Sequence, residues 1–354
     1  MKRLVLNGPR DARIIEEKLP ELKPYEILCK VKYVCICGTD FEIASGESSF
    51  VKNGLIKYPV PIGHEWSGVV AGFGSDAKDK GFSLNDRVIS DTGVACGECE
   101  ACKKGDYKRC PKIRAVGTIN AYPGAFAEYV IFPYWHLHHI PDSVALDEAA
   151  LLEPTSIANH AIVRSKIYTR PGFAENATAL VTGTGGIGIA AALLLKHCYN
   201  VKKVIVAGRK DDKLKVALEG GVDAVINTVK TDFVEEMKRL TDGKGANLVI
   251  ETSGSIDIFN KLVYVTSLFG EIAPLAFYSR TLDGFDIDTL INSCMDILGI
   301  GGQEGLMDVL KFLGEGKLSL LPVISHRISL EEAVNAFNDP SKYSATKIKI
   351  MVEM

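Results

Sequence analysis

Four cysteines fall within the fifteen residues "CGECEACKKGDYKRC", in a chain that holds nine. Their spacing is Cys96-x2-Cys99-x2-Cys102-x7-Cys110. The two short steps let backbone amides approach the sulfurs while the thiolates converge on one tetrahedral ion, about 2.3 Å from each sulfur. Four thiolates leave no position for water or substrate, so such a zinc site staples a loop and does no chemistry. A disulfide is the competing use of paired thiols, and a reducing compartment favours the metal. "CICGTD" (35–40) and "GHEWSG" (63–68) hold a second set, Cys37, His64 and Glu65. A thiolate, an imidazole and a carboxylate can ligate zinc with a position left free, as catalysis requires. Their separation in sequence does not by itself make them converge. Read singly, Cys37 is also a small buried hydrophobe and His64 a bonded core residue.

A third constellation binds rather than reacts. "TALVTGTGGIG" runs an apolar strand into Gly183, Gly185 and Gly188, with Gly186 and Ile187 between the last two. Gly183 permits the tight turn, Gly185 lets the backbone approach a pyrophosphate, and Gly188 allows close helix–sheet packing. The helix that follows offers unpaired N–H groups and a positive dipole end to the phosphates. Some twenty residues on, NAD-specific turns carry Asp or Glu for the ribose 2′-hydroxyl. Here the text is Gly208-Arg209-Lys210. A glycine removes the carboxylate that would repel a 2′-phosphate, and Arg209 can meet that phosphate bidentately. NADP is therefore expected in preference to NAD. Asp211 and Asp212 suit the first turn of the next helix.

These groups need two kinds of scaffold. From 1 to about 150, short β-type runs such as "EILCKVKYVCI", "WSGVVAGFG", "DRVIS" and "AFAEYVIF" are broken by Gly and Pro, which predicts a largely antiparallel domain. From about 177 to 300, strand-like runs ("TALVTG", "KKVIVAG", "AVINT", "LVIET", "GEIAPL", "DILGIG") alternate with helical ones at Gly188–His197, 211–219 and 231–240. That alternation predicts an α/β fold with a parallel sheet covered on both faces. An amphipathic helix at "EGLMDVLKFLGEG" follows, then a strand and a helix. With 354 residues, two domains are the default expectation. A net charge of −3 without a basic face argues against a nucleic-acid partner. No apolar run approaches a membrane span, and the N-terminus lacks a signal-peptide core, so a cytoplasmic location is expected.

Taken in this order and at these separations, the motifs resemble the zinc-dependent medium-chain dehydrogenases over nearly the whole chain. The resemblance implies a GroES-like, β-rich catalytic domain from 1–154 and 301–354, with a structural zinc lobe at 96–110. A doubly wound Rossmann domain spans 155–300, and the active site occupies the cleft between the two. "LLEPTSIANHA" (151–161) is similar to the polyol branch of sorbitol, galactitol-phosphate, butanediol and inositol-type dehydrogenases. In that branch the glutamate, here Glu153, sits at the zinc as a ligand or through bound water. The implied catalytic zinc set is Cys37 and His64 with a shifting pair of carboxylates, Glu65 and Glu153. Asp40 would orient the imidazole of His64 from behind. Two zinc ions per chain follow.

The same resemblance gives Thr39 the hydroxyl that takes the substrate proton, with the cofactor ribose as the next relay member. Zinc lowers the pKa of a bound hydroxyl toward neutrality, and the cofactor accepts the hydride. Many relatives end the relay in a histidine five residues after the zinc cysteine, where this chain has Glu42. Gly186 stands where relatives often carry proline. The expected activity is oxidation of a secondary hydroxyl in a polyol, sugar or cyclitol-like substrate. An L-threonine-type amino-alcohol dehydrogenase is the alternative within the class, and a catalytically silent zinc and NADP-binding protein the alternative outside it. Family resemblance also implies a homodimer or homotetramer, with 262–277 as one possible seam. His136, His138 and His139 read as packing residues rather than as a third metal site.

Overall fold

"EILCKVKYVCI" alternates apolar and polar positions and then turns fully apolar, and it forms the strand Glu26–Ile36 at the centre of one sheet. The computed structural model describes residues 1–120, 122–278, 281–302, 304–343 and 346–354. The chain divides into two compact units, Met1–Glu153 with Ser325–Met354, and Pro154–Ile324.

In the first unit, Glu26–Ile36 pairs antiparallel with Glu65–Phe73 on one side and with Lys349–Glu353 on the other. Arg87–Ser90, Leu137–His139 and Ile324–Ser329 extend this sheet, and Tyr129–Pro133 pairs with the far end of the central strand. Its core gathers Leu4, Ile27, Val31, Ile62, Trp66, Phe126, Phe132 and Phe337, all but closed to solvent. The antiparallel reading of this region holds. The "AFAEYVIF" strand starts later than its composition suggests, at Tyr129, because Ala125 and Phe126 turn inward to bond Gly63 and Ile62.

The second unit carries six parallel strands in the order Ala224–Asn227, Lys203–Gly208, Thr178–Thr182, Ala246–Glu251, Thr266–Pro274 and Asp296–Ile297. This is the 3-2-1-4-5-6 order of doubly wound nucleotide folds. The inner strands Lys203–Gly208, Thr178–Thr182 and Ala246–Glu251 are buried almost throughout, as strands covered by helices on both faces are. The helix after the glycine turn begins at Gly186, two residues earlier than its apolar run indicates, with Gly185 as N-cap. "DILGIG" forms a two-residue edge strand, and Leu298 continues the contact by donating to Ile272 O at 2.8 Å. Among the described residues no helix is long and apolar enough to cross a membrane.

Candidate active site

Sheet register assembles the first cluster. Cys35 stands opposite Glu65 across one pair of strands and opposite Met351 across the other. Cys37, the His64–Glu65 pair and Lys349 therefore emerge at the same end of the sheet. Cys37 caps the helix Gly38–Ser45, and its N–H donates to Asp40 Oδ2 at 2.9 Å. Ligand atoms of Cys37, His64 and Glu65 all lie within 4.8 Å of one another.

Polar atoms in this cluster are left wanting partners. Asp40 is fully buried, and its Oδ1 faces His64 Nδ1 at 3.7 Å, just outside hydrogen-bond length. Asp40 Oδ1, His64 Nδ1 and Glu65 Oε2 are buried without a hydrogen-bond partner. Orphaned buried oxygens and nitrogens are costly and call for an ion or a bond that forms on loading. Glu65 Oε1, by contrast, accepts from Lys349 Nζ at 2.6 Å.

The field in the cluster is strongly negative. Burial pushes His64 down, yet Asp40, Cys37 and Glu153 outweigh it and hold the ring well above its ordinary value. Lys349 is likewise held up against burial, by Glu65 first and then by Cys37 and Cys35. Glu153 is pushed up to about 7 by burial and by the negative charge of Glu65 and Asp40, with His64 and Lys349 opposing. Cys37 and the carboxylates of Asp40, Glu65 and Glu153 act on His64 and Lys349, a donor-rich setting that suits a divalent cation. Thiolate, imidazole and carboxylate suit zinc. The residues fit the metal.

Thr39 lies in the first turn of the Gly38–Ser45 helix, two residues past Cys37, and is partly buried. Glu42 is exposed one turn further on.

The second cluster sits on a loop between short elements. The Sγ atoms of Cys99 and Cys102 are 3.3 Å apart, those of Cys110 and Cys96 3.6 Å, and those of Cys96 and Cys102 3.9 Å. These spacings bracket the edge of a zinc–thiolate tetrahedron, about 3.8 Å for bonds of about 2.3 Å. A disulfide would need about 2.05 Å, and all nine cysteines are free. The backbone N–H groups of Glu98 and Cys99 pull Cys96 down to about 6, while burial pushes Cys102 up to about 12.

In the second unit, Thr178–Thr182 runs into Gly183, whose φ of +104° suits glycine. A Cβ on Gly183 would lie 2.4 Å from Thr252 Oγ1, and one on Gly188 2.1 Å from Gly183 O. A Cβ on Gly185 would meet nothing within 4 Å, which leaves room above the turn. Gly208 is buried at the end of the next strand, and Arg209 and Lys210 are exposed beyond it. The nearest carboxylate, Asp211, is held by Lys230 at 2.5 Å and Asn227 at 2.7 Å.

Comparison with known proteins agrees with this geometry. Residues 23–142 match the alcohol dehydrogenase GroES-like domain, and residues 186–313 match the zinc-binding dehydrogenase family. A sorbitol dehydrogenase of Halalkalibacterium halodurans is 30% identical over 98% of both chains. This chain is a zinc-dependent medium-chain dehydrogenase. An L-threonine 3-dehydrogenase of Deinococcus deserti is 31% identical over 92% of this chain and 91% of the relative. Among solved structures, a protein of Sinorhizobium meliloti 1021 bound to NADP superposes with a TM-score of 0.87 at 26% identity, covering 100% of this chain and 99% of that one. The dehydrogenase accordingly takes a small-molecule substrate, zinc and a nicotinamide cofactor.

Two features of the dehydrogenase escape a reading of motifs. Lys349 is one, since "KIKI" looks like an ordinary half-exposed strand until the register turns one lysine inward. The other is Asp91, which joins His136 Nδ1 at 3.0 Å and His138 Nε2 at 2.8 Å. His136 Nε2 then accepts from Ala95 N–H at 2.9 Å, one residue before the cysteine lobe. The histidines thus anchor the lobe. Among the described residues, only the two clusters above group three or more metal-ligating side chains.

Proposed function

We propose that this dehydrogenase oxidises a secondary hydroxyl of a polyol, sugar or cyclitol-like substrate, prefers NADP to NAD and holds two zinc ions per chain. The observation that carries the reading is the Cys37–His64–Glu65 convergence, with Glu65 Oε2 buried and unpartnered. Likeness to a sorbitol dehydrogenase along nearly the whole chain supports the substrate class.

Cys37, His64 and Glu65, with Glu153 alongside, would hold the catalytic zinc, and Cys96, Cys99, Cys102 and Cys110 the structural one. Bound zinc supplies a Lewis acid for the substrate hydroxyl, and the nicotinamide supplies the hydride acceptor. Asp40 orients His64 from behind, as metal-binding imidazoles require. Lys349 holds one oxygen of Glu65 and leaves the other for the cation. The Thr39 hydroxyl receives the substrate proton. Gly183, Gly185, Gly186, Ile187 and Gly188 seat the pyrophosphate, and Arg209 with Lys210 meets the 2′-phosphate, Asp211 beside them being already ion-paired with Lys230.

The threonine-type reading draws on the second relative. A substrate ammonium needs a carboxylate of its own, whereas here Asp40 faces His64, Lys349 takes one oxygen of Glu65, and both Glu153 and the other oxygen of Glu65 are assigned to the zinc. That favours the polyol. Free thiols throughout agree with a reducing, cytoplasmic setting. Self-association through the nucleotide-binding unit has support in Leu268, Phe269, Ile287, Ile291 and Ile297, large apolar side chains that are 45–62% exposed.

The test follows nicotinamide reduction by zinc-replete protein with NADP+ and NAD+ in parallel, against polyols, cyclitols, butanediol and threonine. Turnover of a polyol with NADP+ is expected. Turnover of threonine alone would replace the substrate class, and turnover with NAD+ alone would overturn the role given to Arg209.

A further inference from the structure

Glu251 ends the strand Ala246–Glu251, fully buried, in register with Thr182 at the end of Thr178–Thr182. These are the two strands between which the sheet order reverses. In doubly wound folds the ligand crevice lies outside the carboxyl ends of such a pair. A carboxylate at that place is expensive to bury unless donors surround it.

Donors do surround it, and they come from three separate segments. Thr182 Oγ1 donates to Glu251 Oε1 at 3.4 Å from the strand that leads into the glycine turn. Ser253 donates to the same oxygen with its N–H at 2.6 Å and also with its hydroxyl, and Gly254 N–H reaches Oε2 at 3.4 Å. The Tyr278 hydroxyl donates to Oε2 from the loop after the next strand. Thr252, between these, rests against the turn and donates its hydroxyl to Thr182 O at 2.8 Å. One side chain therefore ties together the glycine turn and both loops that follow the neighbouring strands.

We propose that Glu251 is a positioning residue for the nicotinamide cofactor, holding loops 252–254 and 275–278 in place around the Gly183–Gly188 turn before the cofactor arrives. Loops fixed in the bound conformation do not lose freedom on binding, so their ordering does not weaken affinity. The inference rests on the cofactor occupying this crevice. Glu251→Gln keeps the shape of the side chain but places an amide donor against Tyr278 and Gly254, or against Ser253, which also donate. Tyr278→Phe removes one donor and disturbs less.

The experiment titrates full-length wild type, Glu251→Gln, Tyr278→Phe and Arg209→Gln with NADPH and NADH, reading nicotinamide fluorescence, with zinc content and melting temperature measured alongside. For Glu251→Gln, Kd for both nucleotides is expected to rise on the order of tenfold, with zinc content unchanged and the KM for the alcohol unmoved at saturating cofactor. Tyr278→Phe is expected to move the same way by less. A lower melting temperature with wild-type Kd values would assign Glu251 a structural role only and overturn the proposal. If Glu251→Gln does not fold, an unchanged Kd in Tyr278→Phe overturns it instead. Loss of NADPH affinity in Arg209→Gln, beside unchanged Glu251→Gln and Tyr278→Phe, sinks this inference and leaves the NADP assignment standing. Failure of wild type to bind either nucleotide would sink both.

Discussion

Lys349 Nζ lies 2.6 Å from Glu65 Oε1, and both side chains are buried at one end of the first unit's sheet. Removing one member of a buried pair strands the other charge, at a cost of roughly 3–5 kcal/mol. Lys349→Met should lower the unfolding free energy of chelator-treated protein, measured by urea titration, by about that much. The loss should be smaller with zinc present, because the freed carboxylate then has a cation to bind. Equal midpoints for the variant and wild type, with and without zinc, would show that the pair does not hold Glu65.

Cys96→Ser removes one thiolate of the closed lobe. Zinc content should fall from two ions per chain to one by atomic absorption, while Cys37 and His64 keep theirs. A Cβ on Gly97 would lie 2.6 Å from the Trp135 ring, so this indole packs on the lobe backbone. Its fluorescence should shift in the variant, with Trp66 as the only other source. A variant that still carried two zinc ions would remove Cys96 from the ligand set.

Asp91 gives a pH prediction with a definite sign. Burial pushes its carboxyl up, but hydrogen bonds from His136 and His138 outweigh this and lower it to about 2. A carboxylate held below its unfolded value, about 3.9, stabilises the fold above that pH and loses the contribution as pH falls toward the folded value. The stability gap between wild type and Asp91→Asn should therefore be constant from pH 7 to about 4 and close between about 4 and 2. With 38% of the Asp91 side chain exposed, the gap should be no more than about 1 kcal/mol. Urea titrations at several pH values test this, and a gap that widens in acid would contradict it.

Cofactor choice should respond to Arg209 and resist Gly208. Arg209→Gln should cut the NADP+ over NAD+ preference in kcat/KM by about tenfold, roughly the worth of one charge-assisted contact. Gly208→Asp, the direct route to an NAD-type turn, should fail for steric reasons. Its Cβ would lie 2.6 Å from Thr184 Cγ2 and 3.3 Å from Leu214 Cδ2. Loss of affinity for both nucleotides, rather than a gain for NAD+, is the expected outcome.

Much of this was readable from residue order, for physical reasons that also set the limits. The central strand is legible because its alternation matches a half-covered sheet face, and the inner nucleotide strands Thr178–Thr182, Lys203–Gly208 and Ala246–Glu251 because burial on both faces makes them mostly apolar. Short-range spacing marks the four-cysteine lobe and the glycine turn. Lys349 and Glu251 are not legible in that way. Each is a common charged residue whose meaning arises only when strands pair, Lys349 through the Met351–Cys35–Glu65 register and Glu251 through its match with Thr182. The twist of "AFAEYVIF" out of the sheet at its start has the same origin, since bonds to Gly63 and Ile62 outweigh strand propensity.

The four-cysteine lobe and the Glu65–Lys349 pair differ in how far the chain must travel to form them. Cys96 and Cys110 are 14 positions apart, whereas Glu65 and Lys349 are separated by 284. Closing the longer loop costs roughly 3 kcal/mol more chain entropy. In refolding with zinc, the lobe should capture its ion while most of the molecule is still unfolded, and the catalytic cluster should gain its charge balance among the last events.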